Sequence, residues 1–247
     1  MHKPTASLIV LSFGLLCTVS AVQAGAAADV LKQVTKPAAT DPSSLSETDA
    51  GSGIKEALAQ GVGNAINRLG KTDGFLADQA VRILIPKKVR KLTEAARKLG
   101  ADKLVDDFEV SMNRAAEQAL PAAAEVFSDA VRQMSLQDAL GIVRGGEDAG
   151  TQYFRRVTED QLRTRFLPIV STATGASGAT RNFKKLNKKA GGLGGLLNRG
   201  DKPFDLDSYV TDQAMNGLFH YIAEEEKNIR KNPLGQASSL LRRVFGR

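Results

Sequence analysis

His220 and Glu224 stand four residues apart, a spacing that puts both on one face of a helix, where they could hydrogen-bond or hold one metal ion. A site built this way needs two more ligands. The neighbouring Glu225 and Glu226 point around such a helix rather than toward the same spot. A solvated pair or a partly buried histidine is the expected state, with His220 and Glu224 kept as the metal candidates. Asp106-Asp107, Glu109 and the Glu224 to Glu226 run supply carboxylates for acid–base work, which requires two of them across a cleft. Glu224 to Glu226 followed by Lys227, Arg230 and Lys231 also makes i,i+4 ion pairs and puts acids before bases along the helix dipole. That structural use is the expected one, so no catalytic residue is assigned.

Two segments imitate phosphate-binding loops. Ala65 to Thr72 fits a relaxed Walker-A spelling, with Ala in place of the first Gly. A phosphate cradle needs a strand feeding a Gly-rich loop at the start of the next helix. Here the first five positions continue an amphipathic helix, Gly70 reads as its stop, and Asp73-Gly74 as the following turn. Gly191-Gly192-Leu193-Gly194-Gly195 fails GxGxxG because Leu197 takes the last position, and no strand precedes it. No cofactor is expected.

Clustered bases remain. Lys87-Lys88, Arg90-Lys91 and Arg97-Lys98 come first, then Lys184, Lys185, Lys188 and Lys189, then Arg242, Arg243 and Arg247. Lys184/Lys188 and Lys185/Lys189 have helical spacing and make a positive face. Nucleic acid is disfavoured as a partner, since aromatics are 5% of the chain and Trp is absent. Anionic lipid head groups or acidic envelope polymers suit such a surface better. Leu240-Leu241-Arg242-Arg243-Val244-Phe245 could lie on a membrane surface, apolar side in, or close a bundle.

The elements that must carry these residues are helical. Ile54, Leu58, Val62, Ile66 and Leu69 recur at threes and fours. Val81 to Ile85 has strand content but precedes Pro86 and finds no second strand run, so it is expected as an extended connector. Pro86 can open a helix whose stripe is Val89, Leu92, Ala96 and Leu99, ended by Gly100. Leu104, Phe108, Met112, Ala115 and Ala119 make the next stripe, which stops near Pro121 and resumes over 122–133. Ser135 with Asp138 predicts a capping box for a short helix through Arg144, broken by Gly145-Gly146. Residues 148–172 read as a helix with Tyr153, Phe154, Val157, Leu162, Phe166 and Ile169 inward and a kink at Pro168. Residues 175–202 hold seven Gly and seven Lys/Arg with one acid, and are expected as a basic loop with a short helix at 181–189. Asp205 or Asp207 should cap a long helix over 206–231, and a last helix is expected over 235–245.

The chain's 247 residues carry a net charge of +7, with 25% charged and 42% hydrophobic residues, enough to bury a core and too apolar for wholesale disorder. One Cys excludes a disulfide scaffold. His2 and Lys3, the apolar run Leu8 to Val22 and the exit Val22-Gln23-Ala24 are the parts of a secretory signal peptide, expected to be cleaved after Ala24. The run is too short for a span, and Leu16 before Cys17 argues against lipidation. Cleavage would remove Cys17 and leave His220 as the single histidine. Thiolate nucleophiles and thiolate zinc sites would go with it.

Several strings together resemble a known family: Leu69-Gly70-Lys71-Thr72-Asp73-Gly74-Phe75-Leu76, Ser111 to Glu117, Thr151-Gln152-Tyr153-Phe154-Arg155-Arg156, Phe166-Leu167-Pro168-Ile169-Val170, Ala223 to Lys227 and Leu240 to Gly246. They resemble the bacterial domain-of-unknown-function family 4197, exported proteins mostly of Gram-negative bacteria, over about 45–246. The resemblance implies one helical domain behind a signal peptide, in the periplasm, and transfers no catalytic residue.

The resulting expectation is an all-α chain: a signal peptide over 1–24, a flexible lead-in over 25–45 and a single multi-helix bundle over 46–247. Its expected role is that of a non-enzymatic interaction or structural protein of the cell envelope. The partner would be another protein or an anionic envelope component, held through Lys184, Lys185, Lys188, Lys189, Arg242 and Arg243, with peripheral membrane contact and no transmembrane span. A carrier of an apolar ligand and a carboxylate-based hydrolase are the alternatives.

Overall fold

A computed structural model describes residues 47–176, 178, 180–182, 184–185 and 204–231. Among them the secondary structure is helical, with no strand. The elements are α1 (Glu47–Leu69), α2 (Lys87–Lys98), α3 (Asp102–Ala119), a 3-10 turn (Leu120–Ala122), α4 (Ala123–Gln133), α5 (Leu136–Arg144), α6 (Ala149–Ala176) and α7 (Leu206–Lys231). Helix α7 packs on α1, α3 and α6, and α1 also packs on α4 and α5.

The helices bury the faces their spacing predicts. Ile54, Leu58, Val62, Ile66 and Leu69 of α1 are all in the core, as are Val89, Leu92 and Ala96 of α2 and Phe108, Met112, Ala115 and Ala119 of α3. At the centre Phe127 meets Phe154 edge-on at 5.0 Å and Phe219 at 6.0 Å. Each such ring, fully withdrawn from water, contributes roughly 1.5–3 kcal/mol. Two inward assignments fail: Leu99 and Val157 are exposed. Leu99 is the C-cap residue of α2, beyond the last regular turn, so the helical period no longer governs where it points. Val157 sits beside Thr158, which takes the inward position and donates its hydroxyl to the Phe154 carbonyl.

Local signals set several boundaries. Ser135 and Asp138 form the full capping box of α5, and Asp205 accepts the N–H groups of Asp207 and Ser208 at the start of α7. Gly100 takes a φ of 72°, closing α2, and Asp73 takes a φ of 65° in the turn after α1. The chain passes Pro121 in the 3-10 turn, and α6 continues through Pro168. Pro86 is the N-cap of α2 rather than its first helical residue.

The extended connector over 82–86 needs a partner for its backbone, and Asn113 supplies it. The Ile83 N–H donates to Asn113 Oδ1 at 2.8 Å, and Asn113 Nδ2 donates to the Ile83 carbonyl at 2.9 Å. A buried side-chain amide thus satisfies both polar groups of one residue, as a neighbouring strand would. The turn before the connector is tied down similarly: buried Glu117 accepts the N–H groups of Phe75 and Leu76 and the guanidinium of Arg114. Gly217 of α7 makes this docking possible, since a Cβ there would fall 2.6 Å from Phe75.

Among the described residues no helix is long and apolar enough to cross a membrane. The expected lead-in and leader, and the C-terminal helix over 235–245, lie outside the described residues.

Candidate functional site

Docking the 82–90 segment against the start of α7 leaves an open groove of about 650 Å³, within the range of roughly 300–1,000 Å³ typical of small-ligand sites. One wall is Arg82, Leu84, Ile85, Pro86, Lys87, Lys88 and Arg90; the other is Phe204, Asp205, Ser208, Tyr209, Asp212 and Gln213. The two are linked where the Tyr209 hydroxyl donates to the Leu84 carbonyl at 2.9 Å. Asn113 fixes the connector from behind, so the wall is preformed.

Its charges are unequally matched. Arg82 pairs with Glu109 at 2.7 Å. Asp212 pairs with Arg163 at 2.6 Å. Asp205 spends both oxygens on the cap of α7, one on the two N–H groups and one on the Ser208 hydroxyl. The Ser208 hydroxyl and the backbone N–H groups hold the Asp205 carboxyl below the usual range against a smaller desolvation effect. Lys87, Lys88 and Arg90 have no carboxylate partner among the described residues and are exposed. All three sit in the first turn of α2, which has no acidic residue and no side-chain cap. Cations at that end oppose the helix dipole, at roughly 0.3–1 kcal/mol each. Leu84, in the same wall, is 61% exposed, a large aliphatic side chain left outside the core.

Elsewhere several buried polar groups are consumed by structure. Glu226, 4% exposed on α7, accepts the N–H groups of Gly150 and Thr151 and the Thr151 hydroxyl, each at 2.9 Å, and pairs with Arg230 at 2.9 Å. It caps α6 from across the bundle. Gly150 leaves the room, since a Cβ there would fall 2.4 Å from Leu58. Asp78 accepts from Arg68 at 3.0 Å and from the Tyr221 hydroxyl. Burial opposes its ionisation, yet those hydrogen bonds prevail and hold its carboxyl below the usual range. Burial and the bond to Asp78 push the Tyr221 hydroxyl up. In a cleft of about 360 Å³ beside Glu125, Asp129 and Asp160, Arg165 faces Glu125 and Arg132 pairs with Asp129.

His220 and Glu224 are both exposed, and His220 stacks edge-on against Tyr221 at 5.3 Å. No group of three or more His, Cys, Asp or Glu residues able to hold a metal ion occurs among the described residues. The Walker-like stretch ends α1, with Gly70 donating to the Ile66 carbonyl. Lys184 and Lys185 are exposed, at helical positions; Lys188, Lys189, Arg242 and Arg243 lie outside the described residues. Sequence reasoning noted Lys87, Lys88 and Arg90 as bases but missed the groove. The signal available was the pair of lysines following Pro86 at an uncapped helix start; nothing in one dimension places Phe204 and Tyr209 opposite them.

A family model described as protein of unknown function (DUF4197) matches residues 44–246. The chain belongs to that family. No curated protein and no solved structure matches it.

Proposed function

We propose that this family member is a non-enzymatic protein of the cell envelope, exported behind a signal peptide over 1–24, that binds anionic envelope components through its basic segments. The observation that carries the reading is the trio Lys87, Lys88 and Arg90, held without carboxylate partners among the described residues on the rim of the groove of about 650 Å³. Concentrating like charge at a helix start that disfavours it destabilises the fold, and a negatively charged partner would convert that liability into binding energy. The basic segments Lys184 to Lys189 and Arg242-Arg243 add to the same long-range attraction for an anionic surface. The leader's cationic start, apolar run and small-residue exit support export, and a mature chain beginning at Gly25 in the periplasmic fraction is the expected product.

Chemistry is less well supported. Of the two groove carboxylates, Asp205 has both oxygens on the cap of α7 and Asp212 lies 2.6 Å from the Arg163 guanidinium, so no pair of carboxylates faces across the groove for acid–base work.

Sedimentation with vesicles of phosphatidylglycerol and phosphatidylcholine tests the reading. Binding is expected to rise with the anionic fraction and to fall steeply with salt. It should weaken by roughly tenfold in the Lys87→Gln/Lys88→Gln/Arg90→Gln variant, from the loss of about 0.5 kcal/mol per exposed ion pair. Binding indifferent to salt and to that variant contradicts the proposal.

A further inference from the structure

We infer that the groove takes one molecule of a single-chain amphipathic anion, a fatty-acid-like ligand with its chain against Leu84, Ile85, Phe204 and Tyr209 and its acidic head at Lys87, Lys88 and Arg90. The inference rests on the anion-binding reading above and goes beyond it, because an electrostatic surface needs no cavity and no apolar lining.

Three observations point to this ligand. First, the cations, which have no carboxylate partner among the described residues, and the apolar side chains line one concave site, so charge and chain can be held by one molecule. A polyphosphate or acidic polysaccharide would use the bases and leave Leu84, 61% exposed, in water. Second, the lining is preformed: Asn113 clamps Ile83 from both sides, and Tyr209 ties Leu84 to the opposite wall. A site that is already ordered spares the ligand much of the cost of ordering it. Third, part of the connector's backbone is already used, which disfavours an added strand. The Ile83 N–H and carbonyl are taken by Asn113 and the Leu84 carbonyl by Tyr209, so a peptide laid along it would find three of its ladder groups already used. An aliphatic chain needs no such groups.

The chain lacks Trp, so Phe204→Trp places a single indole reporter in the groove. Laurate, kept below its aggregation concentration, is expected to give a saturable blue shift with one site per protein. Monolaurin, with the chain but no charge, should bind roughly tenfold more weakly, and glycerol phosphate, with charge but no chain, should give no shift. Leu84→Asp should weaken laurate roughly tenfold or more, through lost apolar contact and added like charge. Calorimetry of laurate on the unsubstituted chain gives the same ranking without the reporter. Vesicle binding without laurate binding overturns the inference and leaves the anion-binding reading standing. Loss of both overturns both. Glycerol phosphate equal to laurate, or an acidic peptide bound in place of laurate, also overturns the inference.

Discussion

Glu226 and the Lys87–Arg90 rim are both concentrations of charge near a helix start, and they are built in opposite ways. At Glu226 the carboxylate is buried and meets two backbone N–H groups, a hydroxyl and a guanidinium, at the positive end of α6. Every element of that arrangement stabilises the fold. At the rim, three cations crowd the positive end of α2, exposed and without carboxylate partners among the described residues, beside an aliphatic side chain that the core does not use. Folding gains nothing from that arrangement. The contrast separates charge that holds the molecule together from charge available to a partner.

The comparison can be broken most directly at its buried end. Glu226→Ala takes the carboxylate from Arg230, which keeps its bond to the Ile142 carbonyl, and uncaps α6; breaking a buried pair of this kind removes about 3–5 kcal/mol. For a domain of this size the melting temperature should fall by roughly 10 °C, while laurate binding well below that temperature stays unchanged. A fall of only a degree or two would show that the cap is not structural.

Asn113→Leu lies between the two regions. It leaves the Ile83 N–H and carbonyl unsatisfied, a loss of about 2–4 kcal/mol, and it frees the connector that forms one groove wall. Unlike Glu226→Ala, it should weaken ligand binding as well as stability, in calorimetric titrations at 10 °C. Equal binding by the two variants would mean that the wall does not depend on the amide clamp.

Acid should act on the structural charges first. Asp78, Asp138 and Asp205 all have carboxyls held below the usual range, Asp78 against its own burial by Tyr221 and Arg68, the others chiefly by the hydroxyls of Ser135 and Ser208. The unfolded chain binds those protons more tightly, so their contribution is present above about pH 4 and is lost as the pH falls through the lower folded values. Tyr221, raised, contributes below about pH 10 and loses that contribution as the pH rises further. Denaturant midpoints measured from pH 7 to pH 2 should therefore drop below about pH 4, and Asp78→Asn should flatten part of that drop.

The smallest effect has the most informative sign. Lys87→Glu/Lys88→Glu places acids where α2 favours them and should raise stability by roughly 0.5–1 kcal/mol, while weakening anion binding. A variant that loses stability together with binding would show the lysines to be structural.

Much of this fold is legible in local patterns. The stripe Ile54 to Leu69, the Ser135/Asp138 box and the Asp205 cap each depend on residues a few positions apart. The extended state of 82–86 is legible for the same reason, through Pro86. Its partner is not, because Asn113 lies 30 residues away and an asparagine on an amphipathic helix carries no mark of what it will hold. The groove is less legible still. Lys87, Lys88 and Arg90 are visible as bases, but their meaning depends on Tyr209, whose hydroxyl reaches Leu84 across 125 residues of chain. Packing of α7 against α1, α3 and α6 brings those walls together, and no short-range rule encodes it.

Backbone amide shifts during titration with laurate offer the most direct test, because they report location without any substitution. The account predicts saturable shifts concentrated in residues 82–90 and 204–213, with Gly150, Thr151 and Glu226 unmoved. Shifts confined to Lys184 to Lys189 or to Arg242 and Arg243, with the groove silent, would contradict it.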